Sequence, residues 1–234
     1  MKDSKAYYNS IANIYDEQTK QRIAYLDAVD NIIIDDRSKS QITNYLDIGS
    51  GNGRRGLKIA KALNIDNLFL LDNSDKMLKG FSPLDNVKTV DVSIFDFNTD
   101  KKFDFITCLW NVIGHFPSKE TMLIFFSKVN DLLSDKGVFI FDVNNRYNAN
   151  HYGHKSVMIN MQKDYENIKD AGWFILGNDE NKTQVYVHSP FDIHNYLKYS
   201  GLALDTVFYV DYKTGHIKES FLEGQLVYKL RKKK

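Results

Sequence analysis

Short apolar runs alternate with segments of helical spacing over the first two thirds of the chain. The runs have the length of buried strands, and they predict five of them, at Tyr45–Ile48, Leu68–Leu71, Val87–Val92, Phe103–Trp110 and Val138–Val143. Apolar residues three or four positions apart predict helices at Gly53–Leu63, Asp75–Lys79 and Lys119–Leu133, the last ended by Gly137. Repeated strand–helix units of this kind indicate a parallel sheet with helices on both faces.

The pattern changes after the fifth predicted strand. Two strand-like runs flank a group of turn residues and predict a hairpin, and a helix framed by Pro190 and Gly201 follows. Two further runs predict the last strands of the sheet. The hairpin strands lie at Trp173–Leu176 and Thr183–His188, and the last strands at Val207–Tyr212 and Gln225–Leu230.

Charge and composition narrow the classes of protein. There are 31 lysines and arginines against 30 aspartates and glutamates, and this balance gives no long-range field that would attract nucleic acid or an anionic membrane. The one cysteine, Cys108, excludes an internal disulfide and a cysteine-based zinc site, and we expect no metal. No apolar run approaches the roughly 20 residues of a membrane helix, and the N-terminus is too polar for a signal peptide. We therefore predict a cytoplasmic protein that binds no membrane, and we do not expect it to bind nucleic acid.

The most informative segment joins the first predicted strand to the first predicted helix. It is Tyr45–Gly53, with the sequence YLDIGSGNG. Its three alternate glycines allow a sharp turn and the close approach of a ligand, and the helix that follows offers unpaired N–H groups. This pattern predicts a site for a nucleotide-type ligand at the carboxyl end of the first parallel strand.

Two kinds of nucleotide are compatible with these glycines. Gly51–Gly56, GNGRRG, also has the spacing of a dinucleotide-binding loop, which would make the chain an NAD-dependent oxidoreductase. Asp47, however, lies inside the strand, two positions before the first of the alternate glycines. A carboxylate there would repel a pyrophosphate but could help to hold an ammonium group. The sequence thus favours a ligand that carries a cationic amino acid over NAD.

The sequence resembles the class I S-adenosylmethionine-dependent methyltransferases. Their first motif, acidic-x-Gly-x-Gly-x-Gly, matches Asp47–Gly53, and their second, an acidic residue that ends strand two, matches Asp72. Their third motif matches Asp91-Val92, and their fourth matches the strand at Phe103–Trp110. Their antiparallel seventh strand corresponds to Gln225–Leu230, so the resemblance extends over about residues 40–230.

This resemblance implies a fold and a cofactor. The fold is α/β and doubly wound, a Rossmann-like, mostly parallel seven-stranded sheet with an antiparallel last strand and helices on both faces. The cofactor is S-adenosyl-L-methionine. A carboxylate such as Asp72 accepts hydrogen bonds well from its ribose hydroxyls. The implied cofactor-binding residues are Asp47, Gly49, Ser50, Gly51, Gly53, Asp72, Asn73, Asp91, Val92 and Trp110.

The acceptor side carries a shorter resemblance. Asn111, His115 and Pro117 form an Asn-x-x-x-His-x-Pro pattern similar to that of glycine and sarcosine N-methyltransferases and their small-molecule relatives, in which the Asn contacts the acceptor. The segment that contains Arg146 and Tyr147 is similar to the Arg-Asn-Tyr segment of that group, but its Arg and Asn are transposed. The resemblance implies an acceptor contact from Asn111 and Arg146, and we add Tyr147 to these substrate-binding candidates.

The N-terminal segment is similar to the leading helix of many small-molecule methyltransferases, which closes over the donor. At helical spacing, Tyr8, Ile11, Ala12 and Tyr15 share one face. This face either packs into the core or lines the pocket. In the second case Tyr8 binds the acceptor, and Tyr15 joins His115 and Asn111 as a catalytic candidate.

We predict one methyltransferase domain over residues 1–234. A helical cap at 1–40 precedes a donor-binding half at 41–143, a lid and acceptor insertion at 144–188, and a C-terminal helix and strands at 189–234. The expected activity is in-line methyl transfer to a small molecule, with an amine nitrogen favoured over an oxygen, by a monomer or homodimer. Alternatives are a tRNA or protein methyltransferase, a non-catalytic donor-binding regulator, and the NAD-dependent oxidoreductase.

Overall fold

The computed structural model describes residues 1–79, 85–178 and 180–233 of the chain. Its strands are β1 (Asn44–Ile48), β2 (Asn67–Asp72), β3 (Val87–Asp91), β4 (Phe103–Cys108), β5 (Leu133–Val143), β6 (Trp173–Asn178), β7 (Asn181–Tyr186), β8 (Leu202–Val210), β9 (Ile217–Lys218) and β10 (Gln225–Lys232). Its α-helices are α1 (Ser4–Ile11), α2 (Tyr15–Lys20), α3 (Ile23–Arg37), α4 (Arg54–Ala62), α5 (Asp75–Leu78), α6 (Lys119–Leu132), α7 (Ala149–Tyr152), α8 (His154–Tyr165) and α9 (Pro190–Tyr199). A 3-10 helix covers Val112–His115.

Eight strands form the main sheet, in the order β3-β2-β1-β4-β5-β10-β8-β9. The first five in chain order are parallel to one another, and β10 is antiparallel to both of its neighbours. This confirms the predicted α/β architecture and its antiparallel last strand. The predicted count of seven strands is wrong, because the two-residue strand β9 adds an eighth at the edge, in a polar loop with no apolar alternation to reveal it.

Helices pack on both faces of this sheet. Alternate residues of a strand point to opposite faces, so Leu46 belongs to a core beneath α6 and α9, whereas Tyr45 belongs to a core beneath α3 and α4. Phe126 is fully buried on the first face, and Val29 on the second. No helix among the described residues is long and apolar enough to cross a membrane.

Several element boundaries differ from the sequence prediction; β4 ends at Cys108 and not at Trp110, and β8 runs from Leu202 to Val210 and not from Val207 to Tyr212. The helix predicted to run to Leu133 ends at Leu132, and β5 begins at once, so Gly137 lies inside a strand. A Cβ on Gly137 would lie 2.9 Å from the carbonyl oxygen of Phe103, which explains the glycine as a point of close approach between strands. The N-terminal segment is also divided, because α1 ends at Ile11 and α2 begins at Tyr15.

Candidate active site

A cavity of about 630 Å³ lies at the edge of the sheet where the parallel strands end. Ligand sites of open α/β sheets occupy this edge, and the volume is in the range of small-molecule sites. We call one part the donor end; it is lined by Ile48, Gly49, Gly51, Leu71, Asp72, Asn73, Met77, Val92, Ser93, Ile94 and Phe95. We call the other part the acceptor end; it is lined by residues 1–5 and by Tyr8, His115, Phe116, Pro117, Trp173, Thr183 and Gln184.

The loop after β1 requires its glycines. Gly49 and Gly51 have φ angles of +68° and +57°, in the left-handed region that residues with a Cβ rarely adopt. A Cβ on Gly49 would lie 2.5 Å from a methyl carbon of Val112, which lines the cavity. The amides of Gly49 and Ser50 both donate to the carbonyl oxygen of Leu71, at 2.7 and 3.0 Å. These bonds fix the loop against β2, and Gly51 faces the cavity.

Asp72 connects this loop to the next one. Its Oδ2 accepts a hydrogen bond of 2.7 Å from the Gly51 amide, and its Oδ1 accepts one of 2.8 Å from the Ser74 amide. Burial raises the pKa of Asp72, while these two backbone bonds act against the shift. A carboxylate held in this way lines the cavity and retains lone pairs that can accept hydrogen bonds from a ligand.

The other predicted donor contacts divide into two groups. Asn73, Val92 and Trp110 line the cavity, as Gly49, Gly51 and Asp72 do. Ser50 and Gly53 belong to the loop but are not part of the cavity wall. Asp91 pairs with Asp72 across β2 and β3, yet its side chain is exposed and does not line the cavity.

Asp47 lies behind the loop. Its Oδ1 accepts a hydrogen bond of 2.6 Å from Thr107 Oγ1, which lies 2.7 Å from Tyr45 Oη. Gly56 leaves room for this carboxylate, because a Cβ there would lie 2.6 Å from Asp47 Oδ2. Burial raises the pKa of Asp47 to about 7, and the hydrogen bond from Thr107 opposes the shift. Asp47 thus supports the loop from inside the protein instead of forming the cavity wall.

Asp142 shapes the site, although the sequence analysis assigned it no such role. Its Oδ1 accepts a hydrogen bond of 2.6 Å from the Trp110 amide, and its Oδ2 accepts one of 2.7 Å from Tyr25 Oη. Trp110 and Asn111 have φ angles of +68° and +55°, so Asp142 holds a turn that side chains disfavour. The available signal was a carboxylate inside an apolar strand, which Asp142 shares with Asp47.

α1 lies over the cavity as a roof, fixed at both sides. On the side of the donor end, Asn9 Oδ1 accepts a hydrogen bond of 2.5 Å from Ser74 Oγ, the hydroxyl that caps α5. On the side of the acceptor end, the Lys2 amide donates to the carbonyl oxygen of Lys182 in β7, at 2.8 Å. The sequence pattern contained no signal for Asn9, because its partners lie about 65 residues away.

Tyr8 and His115 meet at the acceptor end. Tyr8 Oη lies 2.9 Å from His115 Nε2, and their rings are 5.2 Å apart in an edge-to-face arrangement. Burial lowers the pKa of His115 to about 4 and raises the pKa of Tyr8 well above its ordinary value, so both groups are neutral at neutral pH. Tyr15 lines the cavity beside Tyr8, with the ring centres 6.3 Å apart.

A family model described as a methyltransferase domain matches residues 46–139, from the glycine loop into β5. This part of the chain, which is less than half of its length, is similar to a methyltransferase domain. The match supports the predicted enzyme class and, with it, the predicted methyl donor, S-adenosylmethionine. It does not test the resemblance to glycine and sarcosine N-methyltransferases, which stays a prediction.

Individual proteins are also similar to the chain. The uncharacterized protein MJ1252 of Methanocaldococcus jannaschii is 32% identical over 170 residues, which are 71% of this chain and 60% of the relative. The chain thus spans 60% of the length of the curated relative that it matches.

Two solved structures illustrate the shared fold. An S-adenosylmethionine-dependent methyltransferase from Clostridium acetobutylicum is 19% identical, with 96% of this chain and 98% of that chain covered and a TM-score of 0.61. The N-methyltransferase NodS from Bradyrhizobium japonicum, solved with S-adenosyl-l-homocysteine, is 13% identical, with 88% and 86% covered and a TM-score of 0.58. At these identities the likeness shows the fold alone.

Three of the predicted acceptor residues lie outside the cavity wall. Asn111 is buried, and its Oδ1 accepts a hydrogen bond of 3.0 Å from the Asn144 amide. A Cβ on Gly114 would lie 2.4 Å from Asn111 Nδ2, so the amide group is enclosed by the turn that it stabilises. Asn111 therefore lies next to the site, where its side chain connects the turn after β4 to the segment after β5.

Arg146 and Tyr147 belong to a separate buried cluster. Arg146 Nε donates to Asp164 Oδ2 at 2.8 Å, and Nη1 donates to the carbonyl oxygen of Val187 at 2.9 Å and pairs with Asp192. Tyr147 Oη donates to the same Asp164 carboxylate. With two carboxylates as partners, Arg146 joins α8 and α9 to the segment after β5, and it does not line the cavity.

Proposed function

We propose that the chain transfers a methyl group from S-adenosylmethionine to a small molecule bound at the acceptor end. The observation that carries this proposal is one continuous cavity with the glycine loop and Asp72 at one end and the Tyr8–His115 pair at the other. The amine nitrogen predicted from the sequence is kept as the favoured methyl acceptor, and a monomer or homodimer in the cytoplasm stays a prediction.

The donor end has the properties that S-adenosylmethionine requires. A side chain at Gly49 would fill the space beside the loop, and Asp72 offers a carboxylate for ribose hydroxyls. Val92 and Phe95 supply apolar surface beside it for an adenine ring. When bound, the donor supplies a methyl group already activated by a positively charged sulfur, so the protein mainly has to align, desolvate and hold the acceptor.

Tyr8 and His115 are suited to aligning and holding the acceptor. Because His115 is neutral, it adds no positive charge beside a sulfonium, and the Tyr8 oxygen can orient the acceptor by a hydrogen bond. The roof formed by α1 limits the entry of water, which strengthens the polar contacts inside. An amine must be neutral to act as a nucleophile, and the uncharged, partly desolvated surroundings of Tyr8 and His115 favour its neutral form.

Macromolecular acceptors and a non-catalytic regulator are less well supported. The roof fixed by Asn9 and Lys2 covers the acceptor end, whereas a nucleic acid or a protein would need an open approach to it. A regulator without catalysis would have no need for the Tyr8–His115 pair at the end of the cavity.

Calorimetric titration with S-adenosylhomocysteine tests the donor site. We expect binding to the unmodified chain, and a loss of affinity of at least tenfold in Asp72→Ala, since that carboxylate lines the cavity and orders both loops. Asp91→Ala is the matched control, because it removes an exposed carboxylate from the neighbouring strand, and we expect a change of less than threefold. Absence of binding, or equal affinity in Asp72→Ala, would contradict the proposal.

A further inference from the structure

We propose that the methyl acceptor carries an acidic group, a carboxylate, phosphate or phosphonate, that is bound by Lys2 and Lys5. This inference rests on the proposed function and adds to it the chemical class of the acceptor. Arg146, a predicted acceptor contact, is not available for such a group, because its guanidinium is bonded to Asp164 and Asp192 outside the cavity.

The first support is the position of the two lysines. Both line the acceptor end of the cavity. Lys2 is half-buried there, and its amide is fixed to Lys182 in β7, so its backbone is anchored at the cavity wall. Lys5 follows in the first turn of α1 on the same wall. The two ammonium groups therefore extend from an ordered segment.

The second support is that neither lysine forms a direct ion pair with a carboxylate of the described residues. Within the described part of the chain, neither Lys2 nor Lys5 has a carboxylate oxygen within 4.0 Å. Asp3 is the acidic residue nearest in sequence, and its Oδ1 caps α1 by accepting a hydrogen bond of 2.7 Å from the Ala6 amide. Asp75, which also faces Lys5, is already bonded to Asn9 and Lys79. Lys2 is half-buried and Lys5 is exposed, and two neighbouring ammonium groups without an ion-pair partner are a suitable site for an anion from outside.

The third support is the character of the remaining acceptor end. Tyr8, His115, Thr183 and Gln184 are uncharged polar residues, and Trp173 and Phe116 provide apolar surface. Apart from Asp3, the described residues of this wall include no carboxylate that could bind the cationic tail of a ligand. An acceptor that matches this distribution has a nucleophilic atom beside Tyr8, an apolar body against Trp173 and an acidic group at Lys2 and Lys5.

One scaffold with three head groups tests the inference. The probes are 4-aminobenzoate, 4-aminophenylphosphonate and the neutral 4-aminobenzamide, titrated into the full chain saturated with S-adenosylhomocysteine, with any affinity tag placed at the C-terminus. We expect at least one acid to bind tenfold or more tightly than the amide, and the Lys2→Ala/Lys5→Ala variant to lose this preference. The acid that binds more tightly identifies the head group as carboxylate or phosphonate.

The control is Lys39→Ala/Lys136→Ala, which removes two exposed lysines near the opposite edge of the sheet and should keep the preference. Affinity for S-adenosylhomocysteine serves as the check of folding in every variant. If S-adenosylhomocysteine binds but no acid exceeds the amide, or if the lysine variant keeps the preference, the inference is overturned while the proposed function stands. If S-adenosylhomocysteine itself does not bind, the proposed function fails as well.

Discussion

The two ends of the cavity differ in how their residues are distributed along the chain. The donor end is built from residues 48–95, a stretch that contains two strand–helix units and β3, whose loops meet at the sheet edge. The acceptor end combines residues 1–8, the 3-10 helix after β4 and the β6–β7 hairpin, which are separated by up to 180 positions. One end is a local motif, whereas the other exists only after the tertiary structure has formed.

Residues that look alike in the sequence differ in the structure, because some line the cavity and others support it from inside the protein. Asp72 and Asp47 both match donor-binding motifs in the sequence. Asp72 lines the cavity, whereas Asp47 is buried behind it. Arg146 resembles an acceptor-binding residue in the sequence, yet it forms a buried ion-pair cluster. Charged residues next to a motif can therefore be structural, and burial together with hydrogen-bond partners identifies which ones are.

Arg146→Met gives the largest expected effect, and it tests whether the acceptor end extends to Arg146. We expect the free energy of unfolding to fall by about 3 to 5 kcal/mol, because Asp164 and Asp192 would keep their charges without a partner. Affinity for S-adenosylhomocysteine should stay within threefold. Urea unfolding and calorimetric titration measure the two quantities.

Arg54→Met is the control for that experiment. Arg54 forms an ion pair of 2.6 Å with Asp16, but its side chain is 75% exposed, so its loss should cost less than about 1 kcal/mol. A fully stable Arg146→Met variant with a weakened acceptor affinity would instead place Arg146 in the substrate site.

Gly49→Ala tests the rigidity of the donor end. We expect affinity for S-adenosylhomocysteine to fall by more than tenfold, since the added Cβ would overlap Val112 at 2.5 Å. The left-handed conformation itself costs about 1 to 2 kcal/mol of stability for an alanine. Titration and thermal unfolding of the same sample report the two effects separately.

Gly201→Ala matches the backbone strain without touching the cavity. Gly201 has a φ of +72°, and its added Cβ would meet the side chain of Asn130 at 3.0 Å. We expect a similar strain cost and unchanged donor affinity. Equal donor affinity in Gly49→Ala and Gly201→Ala would mean that the loop after β1 does not form the donor end.

The effect of Asp47→Asn on stability depends on pH, and it should be the smallest of these effects only near pH 4. The pKa of Asp47 rises to about 7 on folding, so between pH 4 and 7 the unfolded chain releases this proton first. This group therefore lowers the free energy of unfolding as the pH rises through that window, and it adds no further change above it. Because each pH unit between the two pKa values is worth about 1.4 kcal/mol, we expect the asparagine variant to gain up to about 4 kcal/mol relative to the parent between pH 4 and 8. Urea unfolding at both pH values measures the gain, and a constant difference would show that Asp47 is not buried as an acid.

The donor end was predictable to a large extent. Its wall includes Gly49, Gly51, Asp72 and Val92. These residues lie in or shortly after strands whose apolar runs are plain, and parallel strands bring their carboxyl ends to one edge. The roles of Asp47 and Asp142 were not predictable, because the sequence does not state which face of a turn a side chain occupies. The division of α1 from α2, and the strand β9, also escaped the periodicity because both elements are short.

The sequence by itself determined the order of the elements, the parallel sheet and the glycine loop. The physical reason is that hydrophobic periodicity and left-handed turns act over a few residues and can be recognised locally. Only the tertiary structure decided that Tyr8 meets His115, that α1 covers the cavity and that Arg146 is withdrawn from it. Those contacts join positions up to 180 residues apart, as Lys2 and Lys182 are, and which of several suitable partners meet depends on how the packed helices and the hairpin fill the space above the sheet.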